Sequence, residues 1–258
     1  MKSYLSNQDR TSEYLEKFDR EKTLKYLIKE KSPLIVDVGA NLGSTLEEFK
    51  QWWPESTLHC FEPQKECWDS LSERAAQYHD DDVTIIKKAA GNKSNQELIF
   101  YSHDISSGIS GFNRVNMESN DSIQLHNVES SDQSGLEQYS NQFNHERVVS
   151  TIRLDDYLQK AGVKHVDLLK IDTQGFEPEV LEGTGELLQN VDVVLTELMF
   201  YDYYERSLSF SDIEKHLLPA GFTLYDINHI SKNPMNGRTD WVDVIYVNKR
   251  ISFGNQNA

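Results

Sequence analysis

Three carboxylates in this sequence each close a short apolar run. They are Asp37 in Leu34-Ile-Val-Asp-Val-Gly39, Glu62 after Thr57-Leu-His-Cys-Phe61, and Asp172 at the end of Val166-Asp-Leu-Leu-Lys-Ile-Asp172. A carboxylate placed at the end of a strand can accept hydrogen bonds from a ligand's amine or hydroxyls. Asp37 leads into Gly39-Ala-Asn-Leu-Gly43, with Asn41 between the two glycines, and a helix-patterned segment follows at once. Strand, glycine turn and helix together expose the unpaired N–H groups of a helix N-terminus. Glycines there allow a ligand to approach the backbone closely. Glu62, with Pro63 behind it, falls about two dozen residues beyond the loop, the spacing of an acid that accepts hydrogen bonds from ribose. An adenosine-containing ligand is the reading these residues support.

The elements that must hold them alternate. Strands are expected over residues 34–38, 57–61, 83–87, 166–172 and 191–200, with helices over 42–53, 64–78, 154–161 and from 177 onward. That alternation predicts βαβ units, a mostly parallel sheet and an α/β fold. In such a sheet ligands bind beyond the carboxyl ends of the strands, where the strand order reverses, and all three acids stand at strand ends. A helix over 211–218 precedes two alternating segments, 222–227 and 241–247, with no room for a helix between them, so they should pair antiparallel. Residues 11–31 have helical spacing broken near 19–22, which predicts one interrupted or bent covering helix. Extra strands are expected over 97–101 and 148–152. The polar segment 102–147 between them reads as an insertion, with an ordered substrate-side loop at 102–113 and mobility around 129–144. The organisation is thus a helical cover over 1–33, one α/β domain over 34–250 and a frayed tail over 251–258.

Charge narrows the partners. With 42 acidic against 26 basic residues the net charge is −16. That opposes nucleic-acid binding, which needs Lys and Arg to displace counterions, and attraction to an anionic membrane. No apolar run has the length of a signal peptide or a membrane span, and Cys60 and Cys67 form no disulfide framework. The expectation is a cytoplasmic protein with no membrane insertion. No His/Cys/Asp spacing matches a metal site.

A dinucleotide loop needs G-x-G-x-x-G, and a phosphate loop needs a lysine after its glycines; neither is present. Carboxylates around the site would repel a pyrophosphate but suit a cationic centre, and S-adenosylmethionine is a sulfonium that carries adenosine. A nicotinamide-dependent oxidoreductase is the enzymatic alternative, weakened by the missing glycines. A catalytically silent cofactor-binding protein would require an idle Asp172.

Asp37 to Gly43 and Phe61-Glu-Pro63 resemble class I S-adenosylmethionine-dependent methyltransferases in general. The block Val166-Asp-Leu-Leu-Lys-Ile-Asp-Thr-Gln-Gly-Phe-Glu-Pro-Glu-Val-Leu-Glu-Gly183, with the preceding Thr151-Ile-Arg-Leu-Asp-Asp-Tyr157, resembles the signature of the FkbM-type family. The resemblance runs from about residue 34 to 247 and departs at Gln174, where the family usually has Glu, and in a longer insertion after Ser110. It implies a Rossmann-like, doubly wound sheet of seven strands with the last antiparallel, and methylation of a hydroxyl, commonly on a sugar or polyketide-like scaffold. It also implies that Asp37, Gly39, Asn41 and Gly43 line the cofactor loop, that Glu62 with Pro63 holds the ribose, and that Lys88 and Ala89 lie near adenine. Asp172 and Gly175 would stand at the methyl-transfer end.

Methyl transfer from a sulfonium is an in-line displacement, so positioning carries much of the acceleration. An alcohol also needs a base to take its proton. Asp172 is the first choice for that base; its alternatives are a contact to the methionine portion or a helix cap. His103, early in the insertion, is the second choice. Glu197, an acid in an apolar strand, and Tyr203 are expected on the side of a small-molecule or glycan acceptor.

Overall fold

Residues 6–79, 82–125 and 133–251 are described by the computed structural model. Two helices, α1 (Asn7–Lys17) and α2 (Arg20–Leu27), stand where one interrupted or bent helix is expected, with the break at Phe18–Asp19. Asp19 causes the break: its side chain accepts the Lys22 N–H and caps a new helix. There follow β1 (Leu34–Val38), α3 (Ser44–Trp52), β2 (Thr57–Phe61), α4 (Trp68–Ala75), β3 (Val83–Ile86) and the short β4 (Ala89–Ala90). The expected helix over 64–78 thus starts as a 3-10 turn, Lys65–Cys67. Next come β5 (Glu97–Ser102), α5 (Asn120–Leu125), α6 (Gln133–Ser140), β6 (His145–Ile152), α7 (Leu154–Lys160) and β7 (Val166–Ile171). The chain closes with α8 (Glu177–Thr184), β8 (Val191–Met199), α9 (Phe210–Leu217), β9 (Phe222–Lys232) and β10 (Thr239–Asn248).

Seven strands form one sheet in the order β3-β2-β1-β7-β8-β10-β9. The five from β3 to β8 are parallel, and β10 runs antiparallel to both β8 and β9. The chain leaves β1 toward β2 and β3 on one side, then returns to β7 on the other, so the order reverses between β1 and β7. Central strands such as β7, buried along its whole length, read as continuous apolar runs because helices cover both faces. On one face Val36, Leu169, Ile171 and Val194 pack on residues of α7, α8 and α9. On the other Ile35, Leu168, Val193 and Ile245 pack on α2, α3 and α4. Cys60 and Cys67 are free, buried thiols.

The two extra strands stand where they are expected, and the later part of the insertion is what differs. β5 and β6 pair antiparallel, with β4 on the other side of β6. Residues 133–144, expected to be mobile, contain α6 and bury Tyr139 and Phe143 against Val115, Tyr201, Tyr203 and Tyr204. Aromatic burial of this kind fixes the segment, and the alternating polar letters around it hide that. The remainder of the expected mobile stretch, up to 132, lies outside the described residues, as does the tail beyond 251.

Candidate functional site

At the divergence of β1 and β7 the glycine loop meets the end of β7. Gly39 has φ +84°, and a Cβ there would sit 1.9 Å from the Asp172 carbonyl oxygen. No other residue allows that approach. The Gly39 and Ala40 N–H groups both donate to the Phe61 carbonyl, each at 3.0 Å, which ties the loop to β2. Asn41, also left-handed at φ +48°, donates its N–H to Glu62 Oε2 at 2.8 Å, and the Gln64 N–H donates to Glu62 Oε1 at 2.7 Å. Burial pushes the Glu62 carboxyl up to about 7, against the pull of these N–H groups. Each of its oxygens keeps a second lone pair for a ligand.

Above this floor lies a cleft with about 570 Å³ of empty space, open solvent included. Pro63, Ala89 and Ala90 form one wall, and the insertion supplies Ser107, Gly108 and Phe112. Ser107 anchors that roof: its hydroxyl donates to Asn41 Oδ1 at 2.8 Å, and its carbonyl accepts Gln64 Nε2 at 3.1 Å. Residues 107–112 therefore cover the cofactor-type cleft, where a substrate-side loop is expected from sequence. Among the described residues no Lys or Arg lines the cleft.

A second cavity opens over the ends of β7, β8 and β10, lined by Arg20, Lys170, Glu197, His229, Trp241 and Asp243 among others. Glu197, Asp243 and His229 are register partners across β8, β10 and β9, so they form one polar row. Like charges directly opposite one another are unfavourable. Arg20, ion-paired with Glu48, stands 3.9 Å from Asp243 and offsets part of that repulsion. Burial, with the Asp172, Glu177 and Asp243 charges, holds Glu197 well above the usual carboxylate range. Among the described residues only Asp172 lines both cavities.

Lys170 is the buried tie between the two strand ends. Its Nζ lies 3.1 Å from Asp37 Oδ1, donates to the Gly39 carbonyl at 3.1 Å, and stands 3.7 Å from Asp172 Oδ2. Burial works against its charge, and the carboxylates of Asp37 and Asp172 outweigh burial, so its pKa lies above the usual lysine value. The turn after β7 is organised by Glu177, whose Oε1 accepts from the Thr173 N–H (2.8 Å), the Thr173 hydroxyl (3.0 Å) and the Gly175 N–H (3.2 Å). Burial pushes Glu177 up to about 7.

The residues named from sequence divide into three groups. Gly39, Asn41, Glu62, Pro63, Ala89 and Asp172 line the first cleft, and Glu197 lines the second cavity. Asp37, Gly43, Lys88 and Gly175 lie outside both linings. Asp37 is fully buried beneath the loop and ion-paired with Lys170, so the free carboxylate expected for a ligand is engaged in structure. Gly43 (φ +91°) opens α3 beside Leu71, and Gly175 (φ +92°) leaves room for Asn113. His103 and Tyr203 are corrected. His103 is buried, accepts the Asn144 N–H on Nδ1 at 3.0 Å and packs on Phe143, so it organises the insertion. Tyr203 is 1% exposed inside the aromatic cluster and cannot line an acceptor pocket. Sequence reasoning missed Lys170, Arg20 and Asp243; for Lys170 and Asp243 the available signal was charge inside runs that are otherwise apolar, while Arg20, in the charged stretch 19–22, carried none. One group with metal-type donors, His165, Asp167 and Asp192, lies at the amino ends of β7 and β8, away from both cavities. Asp167 there accepts the Leu34 N–H, and Asp192 pairs with Arg250.

A sheet in this order, with its last strand wedged antiparallel beside β8 and an acid closing β2 under a glycine loop, is the architecture of class I methyltransferases. A model of the Methyltransferase FkbM domain matches residues 37–224, and the chain belongs to that family. It is 28% identical over 194 residues to the 2-O-methyltransferase NoeI of Sinorhizobium fredii, covering 75% of this chain and 74% of that protein. It is also 28% identical to Methyltransferase 1 of Beauveria bassiana, over 63% of this chain and 64% of the relative. The crystal structure of methyltransferase FkbM from Methylobacillus flagellatus KT superposes with a TM-score of 0.50 at 14% identity, which bears on the fold alone. The match covers 84% of this chain and 44% of that one, so the chain spans less than half the length of that solved protein.

Proposed function

We propose that this protein transfers a methyl group from S-adenosylmethionine to a hydroxyl of a sugar or glycan. The observation that carries the reading is the meeting of two cavities at Asp172, one with an apolar wall beside Glu62 and one lined by hydrogen-bonding groups. The residues present fit the donor. Glu62 retains acceptor capacity for ribose hydroxyls, Ala89, Ala90 and Phe112 offer an apolar slot for a purine, and Gly39 leaves the loop open. The loop lacks the middle glycine that lets a dinucleotide's pyrophosphate approach the backbone, and with the family match this leaves the nicotinamide reading unsupported.

Bound S-adenosylmethionine supplies an electrophilic methyl on a positively charged sulfur. The chain's own residues do the rest. The polar row of Glu197, Asp243 and His229 orients the acceptor's hydroxyls, and Trp241 offers a face for a sugar ring. Asp172 accepts the proton that the attacking hydroxyl sheds. The likeness to a protein named as a 2-O-methyltransferase supports an oxygen acceptor.

Release of S-adenosylhomocysteine across a panel of glycosides tests the reading. Asp172→Asn is expected to lower kcat by about 10²–10⁴-fold while S-adenosylhomocysteine still binds. Full turnover by that variant removes Asp172 from the role. Binding of NAD with no response to S-adenosylhomocysteine overturns the cofactor assignment.

A further inference from the structure

The geometry points to Gln174 as a positioning residue that holds the Asp172 and Glu197 carboxylates as a fixed pair at the border of the two cavities. This rests on the methyl-transfer reading above and adds a component to it.

Gln174 Nε2 donates to Asp172 Oδ1 at 2.8 Å and to Glu197 Oε2 at 3.3 Å. The carboxylate oxygens facing it are acceptors, so the nitrogen end of the amide must point to them. The oxygen end then faces Tyr204, whose hydroxyl is 2.8 Å from Gln174 Oε1 and 2.8 Å from the Ile109 carbonyl, and shares its one proton between them. Tyr204 is itself buried. The backbone is held as firmly: Gln174 has φ +56°, and Asn113 Nδ2 donates to its carbonyl at 2.9 Å. A side-chain-bearing residue persists in the left-handed region only where its surroundings over-determine it, and such residues cluster at functional sites.

In this chain, with Gln174 at the position where the family usually has Glu, the neutral double donor stands in a crowded acidic neighbourhood. Besides Asp172 and Glu197 it contains Asp243 from β10 and Glu177 from α8, faced by Lys170 from β7, Arg20 from α2, His229 from β9 and the Tyr204 hydroxyl. Lys170 is already committed to Asp37 and Gly39. The amide engages one lone pair of Asp172 Oδ1, which makes Oδ2, 3.7 Å from Lys170, the less engaged oxygen and the one that receives the acceptor's proton. A hydrogen bond donated to an ionised carboxylate favours its charged form, so loss of the donor raises the pH at which the base becomes available.

The test is the pH profile of kcat for methyl transfer to the best glycoside acceptor, with S-adenosylhomocysteine affinity measured in parallel. Gln174→Met, similar in length but without a donor, is expected to move the acid limb to higher pH by about one unit, lowering kcat about tenfold at pH values below the limb, with donor affinity changed less than about threefold. Gln174→Glu, which adds a carboxylate in place of the donor, is expected to move the limb further in the same direction. Tyr204→Phe keeps the ring and loses the hydroxyl that steadies the amide; it should shift the limb the same way by a smaller amount, and decides the matter if Gln174→Met does not fold. An unmoved acid limb in these variants overturns the proposal, as does a parallel fall of kcat and donor affinity with no change of profile. A wild-type protein that methylates no hydroxyl acceptor overturns the methyl-transfer reading itself, an outcome distinct from an active enzyme indifferent to Gln174.

Discussion

Glu62 combines near-complete burial with two backbone N–H groups on its oxygens, and burial wins, holding its pKa at about 7. The folded protein therefore holds this proton more tightly than the unfolded chain, whose value is near 4.5. The sign follows from linkage: Glu62 costs stability progressively as pH rises between those two values, and nothing further above them. A ribose hydroxyl donates best to the ionised form. S-adenosylhomocysteine should accordingly bind more tightly at about pH 8 than at about pH 6, with proton release at the lower pH. Calorimetry in buffers of different ionisation enthalpy reads both effects. Glu62→Gln should flatten the dependence and weaken binding by about 1.5–3 kcal/mol, the range for a hydrogen bond to a charged group. Glu177 titrates in the same range but does not line the cleft, so Glu177→Gln should leave the dependence in place. A pH-independent wild-type affinity would remove Glu62 from the ribose site.

The strand-end loops are the elements on which the site depends, and Gly39 is the least replaceable residue among them. Gly39→Ala puts a methyl 1.9 Å from the Asp172 carbonyl oxygen at a φ that L residues rarely adopt. Strain alone costs about 1–3 kcal/mol, and the clash must in addition push β1 and β7 apart. Loss of S-adenosylhomocysteine binding with a lowered melting temperature is expected; a variant that binds normally would show that the loop has room. The insertion depends on its aromatic cluster, so Phe143→Ala should cost about 3–5 kcal/mol of local or global stability, seen as earlier proteolysis within residues 102–147.

Strands β1, β2, β7 and β8 were legible because their apolar runs need no partner to be recognised, and Glu62 and Asp172 because they sit where those runs stop. His103 and Tyr203 were not. Their burial comes from residues far apart in sequence, Val115, Tyr139 and Phe143 meeting Tyr201 and Tyr204, and periodicity carries no information about such pairing. Lys170 is one letter of the β7 motif, and its role follows only from β1 and β7 being neighbours with Asp37 in register with it.

At the scale of the whole molecule, a ligand that binds only the folded state raises its stability by mass action. At about 100 times its dissociation constant the gain is about 2.7 kcal/mol. For a chain of this size that is a rise in melting temperature of about 5–10 °C. S-adenosylhomocysteine should produce it and NAD should not; the reverse pattern would contradict the donor assignment. The net charge of −16 places no such condition on the fold, but it keeps anionic acceptors at a distance at low ionic strength. One residue links the two cavities more directly. Because Asp172 borders both cavities, a ligand in one that alters its charge or hydrogen bonding changes the affinity of the other. Thermodynamics makes such coupling reciprocal: the factor by which the methyl donor strengthens acceptor binding is the factor by which the acceptor strengthens the donor's. Cooperativity between two substrates then needs no moving part here, only a shared side chain.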